Sequence, residues 1–344
     1  MKNTKPISLR ALLLGESVSF LEKENMECLI TQDGLVELIN QLVYYKEEGK
    51  PLYPEIFIFD DLQLVKKVLP SSNFYFIGEG EKTKSTMLKA LKKCAPLTEG
   101  GWSIYILRNN DSFEYGVFRA GTTILSVTIS ETLIDNGMDT LKAILVHQVA
   151  DKIIEVKGIK SDTLIINFGS REDANKSPTE YQHNFIETII LNVEEDLKEQ
   201  VRNFYRKLFL EVLQKGHGTL ACVIDFKMKK FPKKLQDGIV LKSKIDVPNA
   251  IKEILDKNDL TANSILDSQF SLVSGMMQSD GITVFQNNGV ISAYNVFIKH
   301  PEKLSKSGTS GGARSRTFLT LCSMIGKEIK SAYIQSQDGK IEYK

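Results

Sequence analysis

The alternation of apolar and polar residues divides the chain into stretches of different period. Through the first 50 residues the apolar positions follow helix spacing, as at Leu35, Leu38, Ile39 and Leu42. Glu55 to Phe59 is a short apolar run ended by Asp60 and Asp61, which predicts a buried strand, and Phe74 to Ile77 predicts a second. Thr83 to Lys93 returns to helix, with lysines on one face and Met87, Leu88 and Leu91 on the other. Trp102 to Leu107, Phe113 to Phe118 and Thr123 to Ser130 are rich in β-branched and aromatic residues and predict strands. Leu141 to Val156 predicts a helix, and Thr163 to Phe168 another strand.

The pattern then breaks. Gly169 to Gln182 is polar and carries glycine and proline, so it predicts a linker or long surface loop. We place a first α/β domain at 1–170, a linker at 171–184 and a second domain at 185–344. Beyond the linker, Phe185 to Leu213 predicts one long helix with Leu197, Val201, Tyr205 and Leu208 on its apolar face. Leu220 to Ile224 predicts a strand and Pro248 to Leu255 a helix with proline near its start. Gly281 to Phe285 and Val290 to Phe297 predict two strands joined by a hairpin, because Asn288-Gly289 is a strong turn signal. Phe318 to Ile325 predicts a helix, and Ala332 to Gln335 and Lys340 to Tyr343 predict strands. The second domain is therefore expected to be α/β, a mixed sheet flanked by helices.

Composition narrows the classes. Of 344 residues, 42% are apolar and 25% charged, which excludes a disordered chain, a collagen or a coiled-coil rod. The net charge of +1 gives no global basic field, so nucleic acid is not an expected partner. Residues 185–344 carry 23 Lys and Arg against 18 Asp and Glu, a positive excess that suits an anionic ligand. Cys28, Cys94, Cys222 and Cys322 lie far apart with no CxxC spacing, so reduced thiols are expected rather than zinc or disulfides. The apolar run Ala11 to Leu14 is too short for a signal peptide, and no stretch nears the ~20 apolar residues of a membrane span. A soluble, cytoplasmic protein with no membrane partner is the expectation.

Most polar landmarks read as ordinary structure. Gly78 to Ser85 (GEGEKTKS) resembles a phosphate loop only faintly, because Thr83 precedes Lys84 and two glutamates would repel phosphate. His147, His183, His217 and His300 show no metal-ligand spacing. Asp280 differs, since Asp280-Gly281 opens a predicted strand. A carboxylate there can project into a cleft while a ligand approaches the glycine backbone, although a plain Asp-Gly turn has the same spelling. The most informative segment is Ser307 to Thr317 (SGTSGGARSRT). Its glycines, Gly311 and Gly312 among them, let N–H groups crowd an anion, and a helix start near Thr317 adds partial positive charge. Arg314 and Arg316 offer forked donors, and Ser315 and Thr317 add hydroxyls. A strand-end carboxylate followed by such a loop suits metal-assisted phosphoryl or nucleotidyl transfer.

At these residues the sequence resembles the diadenylate cyclase family, with its DisA-type nucleotide-binding (DAC) domain. Asp280-Gly281-Ile282 is similar to the family's Asp-Gly-Ala motif, and Gly312-Ala313-Arg314-Ser315-Arg316 to its Gly-Thr-Arg-His-Arg motif. The resemblance covers about Phe185 to Lys344. Residues before 170 lie outside it and read by position as a sensor or regulatory domain for an unidentified signal or partner. Ile282, Ala313 and Ser315 depart from the motifs, and Gln337-Asp338 stands where the family carries paired glutamates, which leaves a metal role for Asp338 in doubt. The resemblance implies condensation of two ATP into cyclic di-AMP with release of pyrophosphate, across two domains that associate face to face. It implies that Asp280, beside Gly281, binds Mg²⁺ or Mn²⁺. Gly311, Gly312, Arg314, Ser315, Arg316 and Thr317 would hold the triphosphate, and Val296 and Phe297 would pack on adenine. A lone monomer would be inactive. Three alternatives stay open: a degenerate relative that binds nucleotide without turnover, a cyclase making another cyclic or linear dinucleotide, and a non-enzymatic scaffold.

Overall fold

The computed structural model describes residues 9–121, 123–161, 163–169, 177–216, 218–257, 260–298, 312–336 and 341–344. The chain divides into two compact units, one of Met1–Thr123 and Val127–Ala174, the other of Ile124–Ser126 and Asn175–Lys344. Each is a mixed α/β unit whose mixed sheet is flanked by helices.

The first unit opens with α1 (Leu9–Lys23) and α2 (Leu29–Leu42), then a small hairpin of β1 (Lys46–Glu47) and β2 (Lys50–Pro51). The sheet strands are β3 (Ile56–Phe59), β4 (Asn73–Glu81), β5 (Ser103–Arg108), β6 (Ser112–Arg119), β7 (Ala143–Ala150), β8 (Ile153–Gly158) and β9 (Leu164–Asn167), with α3 (Leu62–Val68) and α4 (Lys84–Cys94) between them. They lie in the order β4-β6-β5-β3-β7-β8-β9, with β3 and β5 parallel and every other pair antiparallel. Alternation along the strands sends Ile56, Ile58, Ile104 and Ile106 into the core shared with α2 and α4. Phe57, Phe59, Tyr105 and Phe118 go to the opposite face.

Two sequence expectations fail here, each for a physical reason. Leu141 to Val156 is the β7–β8 hairpin, not a helix. Its strands are buried on both faces, so period-2 alternation disappears from the sequence, and Lys152 turns the chain at φ 57°. Thr123 to Ser130 forms no strand and leads into a short π-helical turn at Glu131–Asp135. GEGEKTKS, as its spelling indicates, is no phosphate loop: it is the end of β4 running into α4, and side chains of Tyr115 and Thr86 fill the space beside Gly78 and Gly80 that a phosphate would need.

The β3 and β5 ends are tied to the helical layer by Arg108. It forks onto Asp60 (Nε–Oδ1 2.6 Å, Nη2–Oδ2 3.1 Å) and donates to the Met26 carbonyl at 2.6 Å. Its side chain is only 8% exposed, so truncation strands buried acceptors. Arg108→Ala is expected to cost about 2–4 kcal/mol, read as a lowered denaturant midpoint with an unchanged slope.

The second unit starts with α5 (Pro178–Ile189), inside the stretch predicted as linker, where Ser177 caps the helix ahead of Pro178. The long helix expected over 185–213 is two helices, because the chain turns between α5 and α6 (Glu195–Gln214). The strands are β10 (Thr219–Ile224), β11 (Leu235–Gln236), β12 (Ile239–Asp246), β13 (Ile282–Gln286), β14 (Val290–Ile298), β15 (Ser331–Gln335) and β16 (Ile341–Tyr343). The helices α7 (Val247–Lys257), α8 (Leu260–Gln278) and α9 (Ala313–Met324) complete the unit. Sheet order is β11-β14-β13-β10-β15-β16, with β12 also on β14. Only β10 and β13 are parallel among the described pairs.

Both sheet faces are covered. Phe318, Leu321 and Met324 of α9 pack on Cys222, Val284 and Ala332. On the other face Phe185 stacks on Tyr333 and meets Phe285 edge-on, and Phe209 packs against both. The hairpin predicted at Asn288-Gly289 is present, with Gly289 at φ 78° and Pro248 too near to admit a Cβ. All four cysteines are free thiols. Burial pushes the Cys94 and Cys222 thiols up to about 12, which leaves them inert. Among the described residues, no helix is long and apolar enough to cross a membrane.

Candidate functional site

Parallel pairing of β10 and β13 sets both strands off from the same end of the sheet, with Leu220 opposite Ile282. The residues just before them, Gly218 and Asp280-Gly281, therefore lie at one rim. The approach to Asp280 is anchored from below. Thr219 Oγ1 donates to the Met277 carbonyl at 2.7 Å, and Ser279 Oγ to the Met276 carbonyl at 2.7 Å. These bonds fix the C-terminal end of α8, which stops at Gln278, two residues short of Asp280. A helix C-terminus carries partial negative charge, so this end and the Asp280 carboxylate together favour a cation.

The opposite sign arrives from α9. The helix begins at Ala313, four residues ahead of the expected start, with Gly312 as an N-cap that offers no side-chain acceptor. No acidic residue occupies its first turn. Among the described residues no side chain caps its first N–H groups, and the partial positive charge there suits an anion. Arg314 lies in that first turn, and its Nη2 stands 3.4 Å from Asp280 Oδ1. The guanidinium lies against Gly218, where an added Cβ would sit 2.6 Å from Nη1 and 3.0 Å from Cζ. Three segments remote in sequence therefore converge: residue 218, residues 280–281 and residue 314.

Gly218 is a contributor that sequence reasoning missed, and no local signal marks it. Gly218→Ala is expected to leave folding stability nearly unchanged, because the guanidinium can swing aside. The displaced fork should weaken binding of a phosphate ligand by about tenfold, measurable by titration with ATP.

The other predicted residues are distributed unevenly. Gly281 is at φ 87°, a left-handed conformation suited to glycine, and a Cβ there would meet the Asn295 backbone at 2.8 Å. Arg316 follows Arg314 by two positions on a helix, about 200° around the axis, so the two forks do not face the same way. Arg314 is the one that reaches Asp280 among the contacts of the described residues. Thr317 Oγ1 donates to the Ala313 carbonyl at 3.0 Å, an internal helix bond, and Ser315 is half-buried in the same turn. Val296 and Phe297 part company, as alternation on a strand requires. Val296 is 1% exposed and packed in the core, whereas Phe297 is 44% exposed, so only the phenylalanine offers a face to a ligand. Gly311, Asp338, His217 and His300 lie outside the described residues.

No family model matches the chain, nor does any curated protein or solved structure. The site must be read from its own chemistry. Asp280 is 84% exposed, and its carboxylate is open to solvent on the side away from Arg314. Mg²⁺ is commonly held through one or two carboxylates plus substrate phosphates and keeps several waters. A single rim carboxylate beside the start of α9 has the chemistry to share a divalent ion with an anionic ligand. Among the described residues, no cluster of three His, Cys, Asp or Glu forms a cage for a resident metal.

Proposed function

We propose that the second unit binds ATP at this rim and acts as a diadenylate cyclase. The observation that carries the reading is the meeting of Arg314 with Asp280, two motif residues 34 positions apart, at the open start of α9. A nucleotide needs a seat for its phosphates and a carboxylate for its metal, side by side, and this rim offers both.

In this reading the triphosphate lies over the N-terminus of α9, taken by its first N–H groups and by the Arg314 fork. Asp280 would hold Mg²⁺ or Mn²⁺, which when bound neutralises phosphate charge and polarises the α-phosphate. Before ligand arrives, Arg314 and Asp280 neutralise each other in part. With nucleotide present, the guanidinium turns to phosphate and the carboxylate is released for the cation. Two such sites from two copies then oppose each other. The 3′-hydroxyl oxygen of one ATP bonds to the α-phosphorus of the other, and the bridging bond to the β-phosphate breaks. Pyrophosphate leaves and the hydroxyl proton passes to the Asp280 carboxylate. The same exchange at the second site closes the ring and releases the second pyrophosphate.

A second reading, a nucleotide-binding relative without turnover, has its own observation. Arg316 faces another side of α9 from Arg314, so one fork serves the site where the motif offers two. Calorimetric titration with each of the four ribonucleoside triphosphates, with and without Mn²⁺, tests what both readings share. Saturable ATP binding that strengthens with Mn²⁺ and weakens with salt is expected. Absence of ATP binding would overturn both.

A further inference from the structure

We propose that Asn295 is a positioning residue of this rim: from a bulge in β14 it fixes the backbone of Asp280 and so sets the direction of the Asp280 carboxylate. The proposal rests on the reading of Asp280 given above.

The register between β13 and β14 slips where it matters. Ile282 pairs with Val296 and Val284 with Ala293, so three steps on β14 span two on β13. The extra residue falls in Tyr294-Asn295, and Asn295 takes up φ 52°. Asparagine tolerates the left-handed region better than most side chains, and bulges beside functional sites re-aim what they carry. Here the bulge turns the Asn295 amide toward the preceding loop, where Nδ2 donates to the Asp280 carbonyl at 2.8 Å. The loop lies flat against the bulge. A Cβ on Gly281 would come within 2.8 Å of the Asn295 carbonyl carbon and 2.9 Å of the Val296 oxygen. Two left-handed residues on facing segments, Gly281 and Asn295, thus interlock.

The carboxylate needs such support. It stands 84% exposed, and Arg314 at 3.4 Å is a partner that a bound phosphate would draw away. Once Arg314 turns to a nucleotide, the direction of Asp280 depends on its main chain. That main chain is held on the α8 side by the Ser279 bond to Met276 and on the β14 side by Asn295. Removing partners that orient a metal-binding side chain typically costs 10- to 100-fold in affinity or activity, about what Asn295 is expected to contribute.

The test uses two variants of the full chain. Asn295→Gly keeps the left-handed backbone and removes the amide. Asn295→Asp keeps the shape and replaces the donor with an acceptor. Amide hydrogen exchange over residues 279–284 is expected to accelerate in both, with melting temperatures near that of the unaltered chain. With ATP and Mn²⁺, kcat is expected to fall about 10- to 100-fold while KM for ATP changes little, because the phosphate seat on α9 is untouched. A purely structural asparagine would lower the melting temperature and leave that split absent. Unchanged exchange over 279–284 in both variants would overturn the proposal, as would accelerated exchange with unchanged kcat. If the unaltered chain turns over no ATP, the cyclase reading fails, and the exchange comparison still decides whether Asn295 holds Asp280.

Discussion

Asp280→Asn is expected to abolish cyclic di-AMP formation, a loss of at least about a hundredfold, while the fold stays intact. The substitution keeps the shape of the side chain and removes its charge. An exposed rim position with one long ion pair contributes little to stability, so the melting midpoint should move by no more than about 0.5 kcal/mol equivalent. ATP itself should still bind, because Arg314 and the start of α9 are unchanged and the guanidinium no longer has a carboxylate competing for it. The signature is a separation: binding kept, Mn²⁺ response and turnover lost. Parallel loss of binding and folding would show that Asp280 serves the structure instead.

Arg314→Ala is the second large effect. The side chain is two-thirds buried against Gly218 and reaches the carboxylate. Its removal takes away the fork aimed at phosphate, and a charge-assisted hydrogen bond of this kind contributes about 1.5–3 kcal/mol. ATP affinity should therefore fall about 10- to 100-fold. Arg314→Lys should recover part of the affinity, since an ammonium keeps the charge and loses the planar fork. The salt dependence of binding should flatten in the alanine variant and persist in the lysine one. Equal affinity for ATP in all three proteins would remove Arg314 from the phosphate seat, whereas Arg316→Ala, on another side of α9, should have the smaller effect.

Much of the second unit was legible because its signals are local. The Asn288-Gly289 turn, the apolar run at Leu220 to Ile224 and the Asp280-Gly281 strand opening each announce themselves within a few residues. The helix α8 is less plainly marked. Its stretch carries four serines, yet Leu266, Phe270, Val273 and Met277 recur at helix spacing. The start of α9 lies earlier than its sequence suggests because Gly312 caps it without the serine or aspartate that usually flags a helix start. That shift matters chemically, since it moves both arginines from a loop onto a helix and turns Arg316 away from Arg314. Leu141 to Val156 misled for a different reason. A hairpin buried on both faces has no polar side to alternate with, so its period is invisible. The contact of Gly218 with Arg314 spans 96 positions, beyond any local window, and that of Asn295 with Asp280 depends on a bulge in β14 that the alternation of residues does not show.

The cyclase reading is tested most directly by resolving the products of the purified full chain by mass after incubation with ATP and Mn²⁺, with Asp280→Asn alongside. Cyclic di-AMP and pyrophosphate from the unaltered protein, and neither from the variant, is the expected result. ATP recovered unchanged from both, or the same product from both at equal rates, would contradict the account.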